Sequence, residues 1–137
     1  MNYCRCLFMV IIVLSSNAHA THATQPKVTI IEQFDNLRMV SFINVKDIIE
    51  SPEWSPGVGA IPLSVDEAIQ SVKDFIRNSK TSLDIKEIEI RPFHKHEKHW
   101  HYLIKIANDA KKSKYDIYVV LMHKKVVPAM IEPQGYK

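Results

Sequence analysis

The chain has 137 residues, and 18 Lys and Arg against 15 Asp and Glu leave a net charge of +3, no surplus for gripping a nucleic-acid backbone. Both cysteines, Cys4 and Cys6, precede the first apolar run, so a chain processed after that run has neither disulfides nor thiolate chemistry. Its core must suffice without staples.

Arg5, the run Leu7 to Leu14 and then Ala18-His19-Ala20 follow the order of a secretory signal: a positive start, an apolar centre, and small residues where a signal peptidase cuts. Residues 1–20 are therefore expected to be removed by cleavage after Ala20. That step takes away Arg5 and no acidic residue, leaving 137 less 20, or 117, residues with 17 basic against 15 acidic side chains. About eight apolar residues fall short of the roughly 20 needed to span a bilayer, and no cysteine stands at the cut to be lipidated. A secreted or periplasmic protein without stable membrane insertion is expected.

Residues 21–26 read as a flexible leader and 27–131 as a single domain. Lys27 to Phe34 has Val28, Ile30 and Phe34 on one face and reads as a strand. Asp35 and Asn36 are turn formers, and Leu37 to Val45 completes a first hairpin. From Glu50 to Pro62 the breakers Pro52, Pro56, Gly57, Gly59 and Pro62 exclude helix and central strand, while Trp54 favours a packed loop. Gly57-Val58-Gly59 lacks the further glycine, lysine and helix start of a phosphate loop.

Ser64 to Asn78 is the clearest element. Ser64 and Glu67 have the spacing of a capping box, and Val65, Ala68, Ile69, Val72, Phe75 and Ile76 form one apolar stripe. Strands follow at Lys86 to Phe93, where Pro92 signals an edge or bulge, and at His99 to Ala107. In the latter, Trp100, Tyr102, Ile104 and Ile106 are expected inward, and His99, His101, Leu103 and Lys105 outward. Tyr115 to Met122 is apolar on both faces and so central, Val126 to Ile131 is the last strand, and 132–137 is a tail. The expected fold class is α+β, one amphipathic helix packed on an antiparallel β-meander.

The run Pro62-Leu63-Ser64-Val65-Asp66-Glu67-Ala68-Ile69, the Trp100-His101-Tyr102 strand and the final valine pair resemble the small secreted PepSY-like domains over residues 62–131. That resemblance implies a helix on an antiparallel sheet, and a binding module associated with regulation or inhibition of peptidases. Lys124 and Lys125 stand where the family commonly has a glycine. No peptidase domain follows in the chain, so the resemblance implies a separate protein or peptide as partner.

Catalytic patterns are missing. His96-Glu97 lacks the second histidine of a zincin helix, no Gly-x-Ser-x-Gly elbow occurs, and the carboxylates show no telling pair, so the chain is read as a binding protein and not an enzyme. No cofactor is expected on the main reading. The alternative is an extracytoplasmic zinc or copper site at a histidine-rich hairpin tip. His99 and His101 would share a side of one strand, roughly 6.6 Å apart, with His94 or His96 as a third ligand. Alternate turns of a meander fall at one end of the sheet, so the tip His94 to Lys98 and the turn His123 to Lys125 are expected roughly 10 Å apart. Five histidines, with His123, and four lysines would gather there.

The export reading has a direct check. The intact mass of the exported protein is expected to correspond to a chain beginning at Thr21, and recovery of a full-length membrane-bound chain would contradict it.

Overall fold

The computed structural model describes residues 24–34, 37–77 and 82–132. The signal segment with its cut after Ala20, the start of the leader, the Asp35-Asn36 turn, Asn78 and the tail beyond Glu132 lie outside the described residues. In chain order the elements are β1 (Lys27–Phe34), β2 (Leu37–Asn44), α1 (Val45–Glu50), α2 (Val65–Phe75), β3 (Ile85–Phe93), β4 (His96–Ala107), β5 (Tyr115–Leu121), β6 (Val126–Pro128) and β7 (Met130–Ile131).

The described strands form two antiparallel sheets rather than one. β3-β4-β5-β6 is the expected meander, and β1-β2-β7 is a second, three-stranded sheet. The described residues make a mixed α+β or mostly β fold with two antiparallel sheets, and the expectation of one helix on one sheet is corrected by the second sheet and by α1. The last segment divides because Pro128 cannot donate to a further ladder bond. Ala129 makes the corner, its N–H bonding the Ile117 carbonyl at 2.8 Å, and Met130 and Ile131 then pair with β2.

Alternation along β4 and β5 sends side chains to two separate cores. Tyr102, Ile104, Ile106, Tyr118, Val120 and Met122 meet Ala68 and Val72 of α2. Leu103, Ile117, Val119 and Leu121 meet Met39 and Ile43 of β2 and Ile48 of α1. The face of β4 expected to be solvated is therefore inside: His101 is 3% exposed and Leu103 2%. Lys105 stays near the surface, where its ammonium pairs with Glu87 at 3.2 Å.

α2 begins as its sequence requires. The Glu67 N–H donates to Ser64 Oγ at 3.3 Å, and the Ser64 N–H donates to Glu67 Oε2 at 3.1 Å. That backbone bond and the Lys124 ammonium at 3.1 Å hold the Glu67 carboxyl down at about 2. The stripe is narrower than expected. Ala68 and Val72 are fully buried, whereas Phe75 is 49% exposed and only touches Tyr118 edge-on at 6.0 Å. Tyr102 donates its hydroxyl to the Leu63 carbonyl at 2.6 Å, tying the loop before α2 to the sheet.

The Glu50 to Pro62 loop is anchored at Ser51, Trp54 and Ile61, while residues 55–60 are exposed, so the expected packing holds only around Trp54. The Trp54 ring lies T-shaped against Trp100 at 5.1 Å, its indole N–H donates to the Gly59 carbonyl at 3.4 Å, and its backbone N–H donates to the Lys98 carbonyl at 2.8 Å. Tight turns elsewhere are made by basic residues in the left-handed region: Arg77, Lys95, Lys114 and Lys124 have φ of 54°, 65°, 56° and 73°.

Two outcomes test this packing. Ile104→Ala is expected to cost about 2 to 5 kcal/mol as a buried truncation, and Phe75→Ala only about 1 to 2 kcal/mol, because half its ring is already in water. Urea unfolding that reversed the order would contradict the core assignment. Lys95→Gly is expected to raise stability by about 1 kcal/mol, since glycine adopts the left-handed region without steric cost.

Candidate functional site

The meander brings the β3–β4 and β5–β6 turns to one end, as strand order requires. The five histidines there do not converge. His94 is exposed in the β3–β4 turn, His96 pairs with Phe93 at the start of β4, and His123 is exposed in the β5–β6 turn. His99 donates through Nδ1 to the Ser51 carbonyl at 2.9 Å, with Glu53 at 3.9 Å from Nε2. Among the described residues no three His, Cys, Asp or Glu side chains come close enough to hold a metal ion. The gathered lysines are also partly neutralised: Lys124 pairs with Glu67, Lys125 with Asp47 at 2.6 Å and Lys98 with Glu53 at 3.6 Å. Lys125 in turn lowers the Asp47 carboxyl.

His101 differs from the other four. Its ring lies 4.3 Å from that of Phe93, and neither Nδ1 nor Nε2 has a hydrogen-bond partner. An unmade bond at a buried polar group costs about 1 to 3 kcal/mol, so this ring is a strained feature of the core. Burial first, and the positive charge of Arg91 second, push its pKa down to about 4. The ring is therefore a neutral imidazole at pH 7, with one N–H to donate and one nitrogen to accept.

His101 lines a cleft of about 220 Å³ between the two sheets. Val28 to Ile31 of β1 make one wall, and Arg91 to His94 at the end of β3 make the other. β1 and β3 are both edge strands. Arg91 joins them, its Nη1 donating to Glu32 of β1 at 2.5 Å and its Nε to Glu89 of β3. Both carboxylates raise the guanidinium pKa above its ordinary value, and Arg91 in turn lowers that of Glu89. A second depression of about 470 Å³, lined by Gln25, Pro26, Val45, Lys46, Ile49 and Glu50, has an apolar character and none of the orphaned polar atoms.

Sequence reasoning placed His101 on a solvated face and did not single out Arg91. The signal for His101 was present in its neighbour: Tyr115 to Met122 is apolar on both faces, so the strand beside it must be covered on both faces as well. For Arg91 no such signal exists, because its partner Glu32 is 59 residues away.

The His101 shift has a signed consequence. A histidine whose folded pKa is below its unfolded value of about 6.5 binds its proton first in the unfolded chain, so stability falls as pH drops from about 6.5 toward 4. About 2 kcal/mol is expected to be lost between pH 7 and pH 5, and His101→Phe is expected to abolish that part of the slope. Parallel urea titrations of protein and variant measure it, and identical slopes would contradict a neutral buried ring. Comparison with known proteins supplies no relative: no family model, curated protein or solved structure matches the chain.

Proposed function

We propose that the protein is a secreted or periplasmic binding domain, not an enzyme, which takes an extended segment of a partner protein along β1 and thereby regulates or inhibits a peptidase in trans. The observation that carries this reading is the free edge of β1. This eight-residue strand pairs with β2 on one side and with no strand on the other among the described residues. Such an edge offers a row of N–H and C=O groups to an incoming strand. Ile31 is 46% exposed beside it, and Phe42 and Met130 are exposed on the same outer face, giving apolar contact to accompany backbone pairing.

The peptidase role draws on the PepSY-like resemblance. It is supported by α2, capped and docked on the meander. It is supported also by Lys124, whose φ of 73° puts the backbone in the conformation that a glycine favours at the turn where the family commonly has one. On this reading α2 with the meander is the PepSY-like unit, and the three-stranded sheet with α1 is an addition that supplies the binding edge.

Immobilised protein is expected to retain a peptidase from extracytoplasmic extract and to slow its turnover severalfold. Ile31→Lys, which places a charge beside the edge without touching either core, is expected to weaken both effects by about tenfold. Unchanged peptidase turnover at saturating protein would contradict the proposal.

A further inference from the structure

The hydrogen bonds around β1 fix which of its residues face outward. Val45 donates its N–H to the Pro26 carbonyl at 3.0 Å, and these two residues stand opposite one another when the β1–β2 register is continued by one step. Bonded pairs in an antiparallel ladder recur at every second residue. Val28, Ile30 and Glu32 therefore bond to β2, and the N–H and C=O groups of Lys27, Thr29, Ile31 and Gln33 point away from it. The far side of β2 agrees: the Glu132 N–H donates to the Arg38 carbonyl at 2.8 Å, so Arg38 and Val40 turn toward β7 and Met39, Ser41 and Ile43 toward β1.

This outward set is symmetric about Ile30. A second β1 laid antiparallel, with a two-fold axis at Ile30, opposes Lys27 to Gln33 and Thr29 to Ile31 on both sides of the axis. Every outward group then meets an outward group, with two backbone bonds to each pair. We infer that a second copy of this chain occupies the β1 edge in this register, joining the three-stranded sheets of two molecules into one. The inference rests on the open edge that the binding reading also uses, and it makes self-association a competitor of the partner segment.

Nothing along the strand guards it against a copy of itself. β1 pairs with β2 without a bulge from Lys27 to Phe34 and contains no proline, and bulges and prolines are the usual protections of an exposed edge. Its two charges do not oppose their like. Across the axis the two Lys27 residues stand about 20 Å apart along the strand and the two Glu32 residues about 14 Å at ~3.4 Å per residue, beyond the screening length of about 8 Å. Each Glu32 is already paired with Arg91. Side chains on the outer face also align. Thr29 is level with Phe42 in its own sheet, and Ile31 with Val40 and Met130. Opposing Thr29 to Ile31 places the exposed Phe42 of one molecule in line with the exposed Ile31 and Met130 of the other, and brings two β-branched side chains together at the junction.

The test compares the protein at about 10 μM and about 1 mM by sedimentation velocity and amide exchange. Sedimentation is expected to pass from monomer to dimer. The amides of Lys27, Thr29, Ile31 and Gln33 are expected to exchange severalfold more slowly at the higher concentration, while those of Val28, Ile30 and Glu32 keep their rates. Dissociation still frees the outward amides far more often than global unfolding does, so they stay less protected than those of β5. In an equal mixture of ¹³C-labelled and unlabelled protein, a contact between the α-protons of Ile30 on the two copies is expected, because residues opposed without a direct backbone bond have Cα atoms only about 4.5 Å apart. Thr29→Pro, which removes an outward N–H and none that β2 uses, is expected to stay folded and monomeric at the higher concentration. The concentration series on the native protein stands even if that variant fails to fold. A protein that remains monomeric would overturn the inference, as would a dimer whose outward amides are unaffected or whose Ile30 contact is missing. A strictly monomeric protein that retains a peptidase would overturn the dimer and leave the binding reading intact. A dimer through Ile30 with no peptidase retained would support the inference and count against the peptidase role alone.

Discussion

Strands β4 and β5 carry apolar side chains on both faces, Tyr102, Ile104 and Val120 toward α2, and Leu103, Ile117, Val119 and Leu121 toward the second sheet. Apolar surface left in water forfeits about 25 cal/mol per Å², so this pair requires two covers. α2 supplies one. The other is assembled from both ends of the domain: β1 and β2 come from before the meander and β7 from after it, with Arg38 and Glu132 fastened at 2.8 Å where they meet. α1 closes a flank of the same cover through Ile48, which is fully buried although the helix has only six residues and no side-chain cap.

Two packed sheets stand about 10 Å apart, too far for their edges to share backbone hydrogen bonds. The gap between β1 and β3 is bridged instead by a side chain long enough to cross it, and Arg91 reaches Glu32. The cleft next to that bridge is thus a consequence of sandwich geometry. Its polar groups are also products of packing. His101 occupies a face that the rest of β4 and β5 fills with Leu103, Ile117, Val119 and Leu121, and it lies inside because the strand register leaves it no other place. Arg91 adjacent to it disfavours the charged imidazole further. A group of this kind weakens the fold.

The meander and α2 were legible from sequence because each rests on local rules: the period of two in Tyr115 to Met122, the Ser64 and Glu67 cap, and the proline at the β3 edge. β1 was read to its bounds for the same reason. The second sheet was not legible, since pairing of Met39 with Ile131 joins segments 92 residues apart by their numbers, and no periodicity records that. α1 escaped because Val45, Ile48 and Ile49 in a six-residue helix look like a strand continuing from β2. At the site, the environments of the histidines come from elements far along the chain. Ser51 engages His99, and the sandwich interior encloses His101. Spacing along one strand carries no information about either.

The binding edge requires that β1 be open against a doubly covered meander. Amide hydrogen exchange resolves this residue by residue. Amides of β4 and β5 are expected to exchange only through global unfolding. Along β1, alternate amides are expected to be protected by β2 and the intervening ones to exchange by far smaller openings, because their N–H groups face away from any partner strand. Uniform protection of the β1 amides, at the level of β5, would mean that the edge is covered, and would contradict the site and the function built on it.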